Sequence, residues 1–258
     1  LEENKYLLVV NASNIQKDWE HLNLLNKKFN ANLKNISDNT SLLSIQGPNS
    51  TKLLNKISDF NFETLKNYMN CVTNIDSIKN IIVASTGYTG AGGYEIYCEN
   101  KNVKQIWDTL FSEGKEYNIL PIGLAARDSL RIEMGYCLYG NEIDENTSPI
   151  EAGLSWITKT ETNFYGSDRI KSDIQNGCDY TIMGIKSEER IIPRKGNIIL
   201  NSNKKKIGMV TSGTFSPTLK KSIGIGFILK ENLNYNEEIF IDNKRKTSKA
   251  KISSLPFI

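Results

Sequence analysis

Glu95 is the first residue in this sequence placed to do chemistry. It follows a glycine-rich run, GYTGAGG over residues 87–93, and sits in the alternating stretch YEIYC. A carboxylate in an apolar alternating strand is costly to bury unless it meets donors. A heteroaromatic ring with an amino group beside a ring N–H supplies two parallel donors that match a carboxylate. Two readings of the glycines stand side by side. They form a tight hairpin connection that needs positive φ, or their small size lets a flat ligand approach the backbone beside Glu95. The run is neither GxGxxG nor a Walker A motif. No Lys-Ser/Thr follows it, and what comes next is a strand rather than a helix N-terminus.

A second centre spans residues 121–156 (PIGLAARDSLRIEMGYCLYGNEIDENTSPIEAGLSW), read as one helix, a turn and an acidic loop leading into a strand. Arg127 offers a rigid bidentate donor with no evident local use. Ala126, Leu130 and Met134 share a helix face that can pack on a sheet. Asp128 and Arg131 are spaced to pair along the exposed side, and Gly135 stands where a helix takes a left-handed terminator. Glu133, Glu142, Asp144, Glu145 and Glu151 surround Gly140 without EF-hand spacing, and solvation of helix and loop accounts for them. A third stretch, TSGTFSPTLKK over residues 211–221, offers hydroxyls at Ser212, Thr214, Ser216 and Thr218 and charge at Lys220 and Lys221. By itself it reads as a surface loop, as does Arg194.

The composition narrows what these residues can do. The chain has 258 residues, 39% hydrophobic and 24% charged, as expected for one or two soluble globular domains. The net charge of +3 is mild, and the lysine runs at 204–206 and 244–246 read as solvated turns, so nucleic acid is not an expected partner. Cys71, Cys98, Cys137 and Cys178 form no CxxC pair and read as reduced thiols rather than a disulfide frame or zinc site. His21 is the only histidine, which removes most His-based metal sites and the Ser-His and Cys-His nucleophile pairs. Chemistry must rest on carboxylates, backbone, a bound cofactor or a partner. No apolar run reaches transmembrane length, so no membrane is expected as a partner. The sequence opens Leu-Glu-Glu-Asn-Lys without an initiator methionine and reads as a fragment or processed product.

The elements that must position these residues alternate at first. KYLLVVNA (5–12) reads as a strand, then Ser13-Asn14 caps a helix with Ile15, Trp19 and Leu22 on one face. Residues 41–46 form a strand closed by Gly47-Pro48, with Ser50 as N-cap of a helix bearing Leu53, Leu54 and Ile57. Residues 80–85 form a buried strand and 94–98 an alternating one. Asn102 caps a helix carrying Val103, Ile106, Trp107, Leu110 and Phe111. This is an α/β or α+β body. From Tyr180 short strands separated by polar or glycine turns indicate a small all-β barrel or sandwich.

Taken together, STGYTGAGGYEIY, PIGLAARDSLRIEMGYCLYGNEIDENTSPIEAGLSWITK and IGMVTSGTFSPTLKKSIGIGFI resemble the signature blocks of aminomethyltransferase, the T-protein of the glycine cleavage system. LLVVNASNIQKDW and LLSIQGP resemble further blocks in the same order, so the resemblance covers essentially the whole chain. It implies an α+β architecture: a folate-binding aminomethyltransferase-type α/β body over residues 1–178, with two interleaved subdomains, and a small C-terminal antiparallel β-barrel over 179–258. It implies transfer of a methylene group from an aminomethyl on the lipoyl arm of H-protein to tetrahydrofolate, with release of ammonia. The implied partners are the lipoylated H-protein and tetrahydrofolate, with no metal. The family's folate-contacting glutamate, arginine and tryptophan fall on Glu95, Arg127 and Trp156.

One departure bears on catalysis. The family's catalytic aspartate, in a GG…DDLIV block ahead of the strand that matches KYLLVV, has no counterpart here, so no catalytic residue is assigned and weak or absent turnover is expected of the chain alone. Roughly the first third of a usual member is likewise unmatched. Two other functions compete: a non-catalytic folate-binding module, and the folate domain of a flavin-linked sarcosine or dimethylglycine demethylase. The nearly complete ARDSLR…LYGNEIDE block favours the transferase. The bacterial cytoplasm is the expected setting, or the mitochondrial matrix in a eukaryote. Lys204–Lys206 and Lys220-Lys221 are candidate patches for steering an acidic partner.

Overall fold

The computed structural model describes residues 1–162, 164–234 and 237–258. The chain divides into two compact units, Leu1–Pro121 and Ile122–Ile258.

The first unit is built on a four-stranded antiparallel sheet in the order β1-β4-β3-β2, formed by β1 (Thr40–Gln46), β2 (Asn70–Ile75), β3 (Ile78–Ala84) and β4 (Gly93–Glu99). Strict alternation decides its faces. Tyr94, Ile96 and Cys98 of β4 are buried with Ile45 of β1 and Ile81 and Val83 of β3. The helices α2 (Ser50–Ile57) and α3 (Asn100–Glu113) cover that face with Leu53, Leu54, Ile57, Ile106 and Leu110. Such burial of apolar area is the main driving term for the layer.

Helix starts differ from the sequence reading by one residue in α2 and three in α3. Asn49 rather than Ser50 is the N-cap of α2. α3 begins at Asn100 rather than after Asn102, and the Asn100 side chain is spent on Ser41 and the Asp38 carbonyl. α1 (Ile15–Asn26) forms as expected. The expected strand over residues 5–12 does not form. Tyr6, Leu8 and Val9 are 80%, 61% and 58% exposed, and an isolated bridge between Glu2 and Lys5 is the pairing present there. β propensity describes fit to a half-buried pleated surface, and among the described residues no neighbouring strand supplies one.

The second unit holds α4 (Leu124–Glu133), α5 (Ser167–Asn176) and a closed antiparallel barrel in the order β10-β5-β8-β7-β6-β9. Its strands are β5 (Tyr180–Ser187), β6 (Ile198–Leu200), β7 (Lys206–Ser216), β8 (Lys221–Leu229), β9 (Glu238–Asp242) and β10 (Thr247–Ser253). The short strands expected from Tyr180 onward are present, and they close into a barrel. Isoleucines fill the interior, among them Ile185, Ile199, Ile207, Ile228, Ile239 and Ile241. The barrel settles the fate of 211–221: residues 211–216 are part of β7, not a surface loop.

Close packing leaves no room at Gly213, where an added Cβ would lie 2.0 Å from the Pro193 carbonyl oxygen. Backbone cannot yield as a flexible side chain does, so Gly213→Ala is expected to destabilise the protein by about 1–3 kcal/mol through overpacking, read as a lower urea midpoint; an unchanged midpoint would mean that the strand shifts freely.

Candidate functional site

Glu95 lies on the face of the sheet opposite the helices. Its cross-strand neighbours are Ser44 on β1 and Ala84 on β3, both small. Tyr97 follows on the same face between Leu42 and Ile82. The carboxylate is half-buried. Thr86 Oγ1 donates to its Oε2 at 2.5 Å and the Tyr97 hydroxyl to the same atom at 3.4 Å. The donors that burial demands are therefore hydroxyls from this chain.

The glycine run closes the hairpin from β3 to β4, with Gly90 and Gly92 at φ 69° and 75°. The need for positive φ is thus real. A second constraint acts at Gly87 and Gly93, where an added Cβ would lie 2.0 and 2.6 Å from the Gln46 side chain. Gln46 threads the loop: its Nε2 donates to Ser44 Oγ (3.0 Å) and the Thr86 carbonyl (3.3 Å), and its Oε1 accepts from Thr89 Oγ1 (3.1 Å). The loop is wrapped on a side chain of β1, a role the sequence reading did not give Gln46.

In the second unit Arg127 is exposed in the first half of α4. One turn later Arg131 is 1% exposed. Its Nε donates to Asp128 Oδ1 (2.7 Å), its Nη1 to the Tyr136 carbonyl (3.1 Å) and Glu142 Oε2 (2.9 Å), and its Nη2 to Ser212 Oγ (2.6 Å). Glu142, fully buried, also accepts from the Leu138 N–H at 2.9 Å and Thr211 Oγ1 at 2.5 Å. The Asp128–Arg131 pair forms, with the guanidinium buried and the carboxylate half-exposed. The expected packing face is also displaced: Ala126 is exposed and Ile132 is the residue that enters the core beside Ile223, Ile225 and Phe257.

Glu133, 1% exposed, accepts from Ser216 Oγ and from the Thr218 N–H (3.3 Å) and hydroxyl (3.1 Å). Solvation therefore does not account for Glu133 or Glu142. Both are satisfied inside the protein by the hydroxyls of TSGTFSPT. A register shift between Val210 and Ser212 is what turns adjacent Thr211 and Ser212 inward together. The alternating apolar run KIGMV leading into those hydroxyls was the available sign of a strand. Asp144 differs: the N–H groups of Asn146 and Thr147 and the Thr147 hydroxyl, all at 2.9 Å, hold its carboxyl below the usual range at the surface.

Trp156 stands in a turn, not a strand, and is 62% exposed. The Ile157 N–H bonds to the Leu154 carbonyl and the Thr158 N–H to that of Ser155, so the backbone is spent on local turns. Burial pushes the Cys137 thiol up to about 11 and raises Cys71, Cys98 and Cys178 as well, which leaves no activated thiolate among them. Among the described residues no group of three or more His, Cys, Asp or Glu could hold a metal ion. A groove of about 950 Å³ on the barrel is lined by Lys186, Arg190, Lys220 and Lys221 with half-exposed Phe215. Its two acids are engaged, Glu188 with Lys251 at 2.9 Å and Glu189 with Lys246 at 2.6 Å, which leaves the groove basic.

Comparison with known proteins gives the family of this chain. Residues 1–162 match the family model described as the GCVT N-terminal domain, and residues 181–258 that of the glycine cleavage T-protein C-terminal barrel domain. The chain is 44% identical over 258 residues to an aminomethyltransferase of Bacteroides fragilis, covering 99% of this chain and 71% of that protein. It is 40% identical over 257 residues to one of Flavobacterium psychrophilum, covering 100% and 71%. The crystal structure of glycine cleavage system aminomethyltransferase T from Bartonella henselae superposes with a TM-score of 0.83 at 28% identity, over 96% of this chain and 67% of that one. The chain belongs to the aminomethyltransferase family of glycine cleavage T-proteins. No helix among the described residues is long and apolar enough to cross a membrane.

The buried pair makes a sharp demand on stability. Removing one partner strands a charge, so Arg131→Met is expected to cost about 3–5 kcal/mol, while Arg131→Met with Glu142→Leu costs less than the two single changes summed. Urea unfolding of the three variants checks this; strict additivity would mean that the pair is not coupled.

Proposed function

We propose that the chain carries the folate-binding machinery of a glycine-cleavage aminomethyltransferase. In the proposed reaction the methylene of an aminomethyl group leaves the lipoyl sulfur of H-protein and joins tetrahydrofolate. Ammonia departs and the lipoyl arm is left as the dithiol. Family membership along the whole chain is the observation that carries this reading. The folate-binding body is taken as residues 1–178 and the barrel as 179–258.

Glu95 is assigned to accept from pterin N–H groups, Arg127 to pair with an acidic or carbonyl acceptor of the folate, and Trp156 to offer an exposed aromatic face. Half-burial of Glu95 beside small cross-strand neighbours supports its assignment. Exposure of Arg127 on a helix anchored by buried Arg131 supports the second. The basic groove on the barrel supports docking of an acidic carrier protein. The relatives named above are bacterial, which supports a cytoplasmic setting in a bacterium.

For the 258-residue chain by itself the reading is folate binding with weak or no turnover. The resemblance places general acid–base help on an aspartate that no residue of this sequence matches, and such help is worth about 10²–10⁴ in rate.

Calorimetry with tetrahydrofolate, alongside an assay of methylenetetrahydrofolate formed from aminomethyl-loaded H-protein, separates the outcomes. Folate binding that weakens about tenfold in Arg127→Ala is expected, with turnover at least 10²-fold below that of the Bacteroides relative. Equal turnover sinks the weak-catalyst reading, and absence of folate binding sinks the folate reading. Reversing Lys220 and Lys221 to glutamate is expected to weaken H-protein binding and flatten its salt dependence while folate affinity holds; an unchanged salt slope would remove the groove from docking.

A further inference from the structure

We infer that Thr86 and Tyr97 are positioning residues that pin one oxygen of Glu95 and present the other to an N–H donor of the bound ligand. The inference rests on the reading of Glu95 as a folate contact. Both hydroxyls reach the same atom, Oε2, at 2.5 and 3.4 Å. That uses both acceptor directions of Oε2. Oε1 takes no hydrogen bond from the described residues. The carboxylate is thus fixed in rotation, with one oxygen committed and one on offer.

Each hydroxyl is itself held. The Thr86 carbonyl accepts from Gln46 Nε2 at 3.3 Å, and Gln46 is tied to Thr89 and Ser44. Tyr97 is fixed by the sheet register between Leu42 and Ile82. Burial first, and then the charge of Glu95, push its phenol up to about 12, so it keeps its proton and remains a donor through the neutral range. The residues directly across from Glu95 on both sides, Ser44 and Ala84, are small. A flat ring edge-on to the sheet then meets one carboxylate oxygen, and recognition is through Oε1 alone rather than a two-oxygen fork.

Without the Thr86 hydroxyl only the longer Tyr97 bond restrains the carboxylate, and the ligand must complete its ordering on binding. A hydrogen bond to a charged group together with one immobilised side chain corresponds to about a tenfold change in affinity. The test is the tetrahydrofolate Kd of the 258-residue chain by calorimetry, for Thr86→Val, Thr86→Ser, Tyr97→Phe, Glu95→Gln and the Thr86→Val/Glu95→Gln pair. Thermal melting confirms that each variant is folded. Thr86→Val is expected to raise Kd about tenfold, Thr86→Ser to restore it to within about twofold, and Tyr97→Phe to raise it less, in keeping with its longer bond. The double variant is expected to bind no more weakly than Glu95→Gln alone, because the hydroxyl acts through the carboxylate. A Thr86→Val effect that persists undiminished in the Glu95→Gln background would overturn the inference, as would no effect at all while Glu95→Gln still weakens binding. If Glu95→Gln binds like the unsubstituted chain, the reading of Glu95 as a folate contact fails first and the inference falls with it.

Discussion

Arg131 and Glu142 are two charges withdrawn from water, and each is tolerable only because the other is there. Their mutual attraction does not by itself repay desolvation, so the remaining donors and lone pairs have to be met as well. That demand reaches far along the chain. It takes the Leu138 N–H and Tyr136 carbonyl from the turn after α4, and Thr211 and Ser212 from the barrel. A helix, a turn and a strand widely separated in sequence are held to a common geometry by one guanidinium. Arg127, four residues ahead on the same helix, inherits its backbone position from that clamp.

The first unit meets the same kind of demand with neutral groups. Gln46 is the peg around which the glycine loop closes, and Glu95 is braced by two hydroxyls. Glycine recurs there for two separable reasons. Gly90 and Gly92 supply positive φ, Gly87 leaves space for the amide of Gln46, and Gly93 does both.

Much of the fold was legible from periodicity. The alternation in YEIYC and the apolar rhythm of α3 gave the sheet and its covering helices, and the short glycine-punctuated runs gave the barrel strands. Glu95 drew notice as a carboxylate in an apolar alternating strand, whereas the role expected of it, and of Arg127, came from collinear family blocks. What escaped was burial of charge. Glu133 and Glu142 look like surface residues because carboxylates usually are, and the barrel hydroxyls that help satisfy them lie about seventy to eighty positions away. A long-range partner leaves no local signature. The run at 5–12 failed in the opposite sense: its residues favour a strand, but strands need neighbours, and composition does not supply them.

The closed order of the barrel has a consequence for behaviour in crowded solution. A ring of strands has no first or last member, so every strand of the barrel has a strand partner on both sides over part of its length. The sheet of the first unit is open-ended, and β1 and β2 each have one side without a strand partner in that sheet. Growth of a β-aggregate requires a free edge to copy. Among the described residues the edge strands of the open sheet, Thr40–Gln46 and Asn70–Ile75, are the expected seeds of such growth.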